Sequence, residues 1–98
     1  VETAKRLLAL SQQDELKIQT LGRSASTALR VFRVLCEHPL ATVNRICQST
    51  GLSFPAASKG MHQLEQLDIV REITGQKRNR VFAYQQYLNI LNEGTESP

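Results

Sequence analysis

Only two cysteines occur in the chain, Cys36 and Cys47, and neither belongs to a CxxC pair. Two thiols cannot build a disulfide framework. With "CEH" at 36–38 they offer three potential zinc ligands and no fourth at a recognised spacing. Packed or free thiols are therefore expected, because structural zinc takes four ligands. No apolar run approaches the roughly 18 residues of a membrane span, and a signal peptide is not expected. Internal repeats and low-complexity stretches are missing, as are a nucleophile–base pair, a phosphate loop and a metal cluster. These absences turn the reading away from secreted disulfide scaffolds, membrane partners and catalysis within this chain. There is no initiator methionine before Val1, and the expectation is an internal or C-terminal piece of a larger cytoplasmic protein.

What is present suits one small domain with an appended element. The 98 residues are 41% hydrophobic and 21% charged, a balance that supports one core and not two. The formal charge of +3 is unevenly spread. Residues 22–92 carry nine Lys or Arg against four Asp or Glu, whereas residues 1–21 are balanced and the tail adds Glu93 and Glu96. The central block is the part suited to a polyanion.

Residues 2–20 contain neither Pro nor Gly and space Ala4, Leu7, Leu8 and Leu16 as a helix would. Gly22 is placed to end that helix in a left-handed conformation. A lone helix cannot bury its own stripe, so its neighbour is the next segment, a second copy of the chain (a homodimer through residues 1–20) or a domain outside this sequence, the last being the first expectation. From Ser24, the residues Ala25, Ala28, Leu29, Phe32, Leu35 and Cys36 recur on one helical face. Pro39 marks its stop. Thr42 is an N-cap candidate for the short helix "VNRICQST", Gly51 permits a sharp turn, and Ser53 caps a longer helix with Pro55 in its first turn. Ala57, Met61, Leu64 and Leu67 form the expected inner stripe of that helix, and Gly60 suggests close packing against a neighbour.

The period then changes. "IVREIT" and "RVFAY" flank "GQKRN" and predict a β-hairpin with Lys77, Arg78 and Arg80 at its tip. "QQYLNILNE" predicts a final helix burying Tyr87, Leu88 and Leu91, followed by a frayed tail over 93–98. The expected fold is mainly α with a small antiparallel β-hairpin: a winged helix-turn-helix over 23–92, preceded by an N-terminal helix over 1–22. In that plan the short helix braces a longer one whose outer face enters a DNA major groove. Candidate DNA contacts are Arg45, Ser58, Lys59, His62 and Gln63, with Lys77, Arg78 and Arg80 from the hairpin. The outer face of the longer helix is a thin reader, with no Arg for a bidentate guanine contact. Phe54 and Pro55 at its leading edge fit a protein contact at least as well, and the basic tip equally suits an acidic protein surface or a simple solvated end.

The stretch "LSFPAASKGMHQLEQLDIVREITGQKRNRVFAYQQYLNILNEGTE", residues 52–96, resembles the C-terminal winged-helix region of bacterial Fic family proteins. The segment "REITGQKRNRVFAY" followed by "YLNILNEGTE" is its most specific part. Upstream, "VETAKRLLALSQQDELKIQTLGRSASTALRVF" resembles the helix and linker that leave the Fic catalytic domain. The resemblance implies a parent protein of the AMP-transferring type, with a regulatory or DNA-binding accessory domain at its end. The family's HxFxDGNGRxxR motif has no counterpart here: His38 lies in "CEHPL" and His62 in "GMHQL". No catalytic residue carries over, and ATP and magnesium are expected only for the catalytic domain. Asp68 stands where a winged helix often has Gly, which is tolerable because Asp accepts the left-handed conformation.

Overall fold

The computed structural model describes residues 1–95, and among them the chain forms five α-helices, a short 3-10 turn and three strands. Helix α1 spans Glu2–Gln19, with Glu2 in its first turn and Lys17 in its last, each favourable to the helix dipole. Its buried residues are Leu10, Asp14 and Ile18. Of the expected stripe of Ala4, Leu7, Leu8 and Leu16, Leu7 is half-buried and the other three point outward, with Leu8 58% and Leu16 66% exposed. Leucine count misled because a charged residue occupies the centre of the true face. That face packs on this domain's own α2 and α5, and Leu10 and Ile18 join the common hydrophobic cluster. Residues 1–22 therefore share the core of the following domain.

Gly22 takes φ +68° and leads into the 3-10 turn Gly22–Ser24, after which α2 runs Ala25–Glu37. Ala28, Val31, Phe32, Val34 and Leu35 are its buried residues, and Ala25, Leu29 and Cys36 flank them half-buried. The local signals beyond α2 act where the sequence sets them. Thr42 caps α3 (Val43–Thr50) by accepting the Arg45 amide at 3.1 Å, and Gly51 closes it at φ +77°. Ser53 caps α4 (Phe54–Gln66) through the Ala56 amide at 3.3 Å. Ala57, Gly60, Met61 and Leu64 are buried and Leu67 is half-buried against the core. A Cβ on Gly60 would lie 2.8 Å from Val31 Cγ2, so the bare glycine is what lets α4 close on α2. Asp68 adopts φ +61° as it leaves the helix.

The expected hairpin is part of a three-stranded antiparallel sheet in the order β1-β3-β2. Strand β1 (Leu40–Thr42) pairs with β3 (Val81–Ala83), and β2 (Arg71–Glu72) pairs with the other edge of β3. Helix α5 (Gln85–Thr95) returns to α1, where Arg6 and Glu93 form a 2.6 Å ion pair. Tyr87 and Ile90 pack on the core, while Leu88 and Leu91 are half-buried. The helix thus occupies 93–95, where a frayed tail was expected; the rest of that tail lies outside the described residues. Among the described residues no helix is long and apolar enough to cross a membrane.

Candidate nucleic-acid interface

The β2–β3 loop is built around one carboxylate. Glu72 Oε2 accepts the Thr74 amide at 2.5 Å, the Thr74 hydroxyl at 2.5 Å and the Gly75 amide at 2.6 Å. These bonds favour the charged form and hold its pKa below the usual range, the Thr74 hydroxyl contributing most. Gly75 and Asn79 take φ +65° and +53° and turn the chain, while Arg80 Nε donates to the Gln76 carbonyl at 2.6 Å. Glu72 is thereby occupied with the loop's own backbone. Lys77 and Arg78 stand exposed, without a hydrogen bond or ion pair among the described residues.

Between this loop and the N-terminal ends of α3 and α4 lies a groove of about 390 Å³. Val43, Phe54 and Phe82 supply apolar walls; Asn44, Ser58, Lys77, Arg78 and Arg80 supply polar and cationic ones, and among the described residues no carboxylate lines it. Phe54 remains 55% exposed. Thus Ser58 and the three hairpin cations line one groove, with Phe54 beside them.

The remaining candidates divide differently around α4. Successive helical residues turn by about 100°, so with Ala57, Gly60, Met61 and Leu64 inward, Pro55 and His62 face outward. His62 Nδ1 lies 3.6 Å from Glu65 Oε1, one turn on. Lys59 and Gln63 belong to the other flank, lining a cleft with Arg23, Ser24, Thr27 and Ala56. Gln63 is half-buried, and its Oε1 is buried without a hydrogen-bond partner among the described residues. Arg45 is turned toward His38, its Nη2 lying 3.1 Å from the imidazole Nε2, and it does not line the groove.

Sequence reasoning missed several members of this face. Asn44 and Phe82 reach the groove only because β1 pairs with β3 beneath it, a contact between distant segments. The role of Glu72 had a local signal, since an acidic residue two before Thr-Gly is placed to accept turn amides. Among the described residues no three His, Cys, Asp or Glu side chains are grouped as a metal site. No protein-family profile, curated protein sequence or solved structure matches the chain.

Proposed function

We propose that this chain is a non-catalytic winged helix-turn-helix module that binds duplex DNA through the outer face of α4 and a basic wing, the β2–β3 loop. The observation that carries the reading is the convergence of Ser58 on α4 with Lys77, Arg78 and Arg80 across a groove that no carboxylate of the described residues lines. Cations so placed neutralise phosphates without reading sequence. The outer face of α4, with Ser58, Lys59 and His62, supplies few base readers, so the affinity is mostly electrostatic and weakly sequence-selective. The resemblance of residues 52–96 to the Fic family extends the proposal: the module belongs to a cytoplasmic bacterial AMP transferase whose catalytic domain, with ATP and magnesium, carries the chemistry.

Fluorescence anisotropy with a random duplex, titrated at several salt concentrations, tests the reading. Three to five phosphate contacts correspond to a log–log salt slope of about −3 to −4.5, and Arg78→Glu abolishes binding at moderate salt. Absence of binding at low salt refutes it.

A second reading rests on Phe54, which stays more than half exposed beside Pro55 and the apolar walls of the groove. Here the module docks on the Fic catalytic domain, a second subunit or the AMP-transfer target. A titration with the separately purified catalytic domain distinguishes it: that complex forms, and Phe54→Ser weakens it.

A further inference from the structure

We infer that Arg23 and Lys59 form a second phosphate-contacting flank, so that a duplex is held across α4 from both sides and not from the wing alone. The inference rests on the nucleic-acid reading above and adds a residue, Arg23, that the basic hairpin gives no reason to suspect. Arg23 sits in the 3-10 turn before α2, and Lys59 projects from α4 into the same cleft of about 410 Å³. The cleft opens on the side of α4 opposite the hairpin groove: Ala56, Lys59 and Gln63 line one, Phe54 and Ser58 the other.

Both cations are exposed, and neither makes a hydrogen bond or ion pair among the described residues. Among the described residues no carboxylate lines the cleft. The left-handed Gly22, at φ +68°, turns the chain out of α1 immediately before Arg23 and so sets where that side chain starts. A helix with its side chains is about 10–12 Å across, close to the roughly 12 Å width of the major groove. A helix seated there has one phosphate strand along each flank. Lys77 and Arg78 then meet one strand, and Arg23 with Lys59 meets the other.

Anisotropy with a random duplex at several salt concentrations, comparing the wild-type chain with Arg23→Ala, Lys59→Ala, Arg78→Ala and Lys5→Ala, tests this. Lys5 is exposed on α1 and lines neither cleft. Arg23→Ala and Lys59→Ala are each expected to weaken binding several-fold and to reduce the magnitude of the salt slope by about 1. Arg23→Ala combined with Arg78→Ala should reduce it by about 2, while Lys5→Ala leaves it unchanged. Wild-type affinity and slope in Arg23→Ala and Lys59→Ala, with Arg78→Ala still impaired, overturn the second flank and leave the wing reading standing. No binding by the wild-type chain overturns both.

Discussion

Tyr84→Phe removes one hydroxyl and should cost this domain about 2 kcal/mol. Asp14 is 2% exposed and Tyr84 is fully buried. The Tyr84 hydroxyl donates to Asp14 Oδ2 at 2.5 Å, joining α1 to the end of β3 across 70 residues of sequence. The other carboxylate oxygen lies 3.5 Å from Lys17 Nζ, on a side chain that is 44% exposed. Removing the hydroxyl leaves a buried carboxylate with, among the described residues, only that distant, solvated partner. Hydrogen bonds to charged groups are worth about 1.5–3 kcal/mol, and for a domain of this size such a loss lowers the melting temperature by about 8–16 °C. Asp14→Leu should also destabilise, because it strands the tyrosine hydroxyl among Phe32, Tyr87 and the core. The double variant should recover much of the loss, since two apolar partners need no donor. Urea unfolding at neutral pH, followed by far-ultraviolet circular dichroism, gives the four stabilities of the cycle and an expected coupling of about 2 kcal/mol. The same burial, helped by the Asp14 bond and charge, pushes the Tyr84 hydroxyl well above its ordinary pKa. A group raised on folding stabilises fully below its unfolded pKa, about 10 for tyrosine. Its contribution therefore declines as pH rises above 10, and Tyr84→Phe should show a shallower alkaline loss. Additive effects under about 0.5 kcal/mol each would refute the reasoning.

At the basic loop, Glu72 is depressed on folding, so its contribution is present above the unfolded carboxylate pKa of 4.5 and fades as pH falls through the lower folded value. The Thr74 and Gly75 amides should stay protected from hydrogen exchange at pH 5 and lose protection in acid; Glu72→Gln should expose them at both, and equal protection in the variant would remove Glu72 as the organiser. In α4, Gly60→Ala gains about 1 kcal/mol of helix propensity but drives a Cβ against Val31, a buried and branched side chain. Overpacking costs about 1–3 kcal/mol, so chemical denaturation should show net destabilisation that a paired Val31→Ala relieves; a stabilised Gly60→Ala would show that the α2–α4 contact has slack.

The features legible in the sequence were those that a few neighbouring residues decide. Thr42 and Ser53 cap their helices, and Gly51 and Asp68 turn left-handed, because each choice is settled within one turn of chain. Strand β1 was not legible: three residues after a proline carry no periodicity, and only pairing with β3 makes them a strand. The face of α1 was hidden for a related reason. Its inward spacing, Leu10, Asp14, Ile18, has a carboxylate at its centre that is acceptable only because Tyr84 arrives from the far end of the chain. The candidate site shows the same division. The basic cluster was visible as composition, but the flank of α4 each cation occupies depends on packing.

That sorting changes how the charge of the central block is understood. Of its nine cationic residues, Arg30 donates to the Thr50 carbonyl at 2.5 Å, Arg45 lies against His38, and Arg80 is tied to the Gln76 carbonyl. Each is partly committed to its own fold. Arg71 shares its cleft with Glu65 and Asp68, which offset it, and Arg33 lines none of the clefts beside α4. Among the described residues, four cations around α4 have no such commitment: Lys77 and Arg78 on one flank, Arg23 and Lys59 on the other. Four phosphates neutralised correspond to a salt slope of about −3.6. Net charge alone suggests a diffuse basic surface, in which any single charge reversal costs about the same. On the proposed duplex reading the arrangement of cations makes a sharper demand: these four positions carry most of the slope, and reversing Arg30 or Arg45 disturbs stability before it disturbs binding.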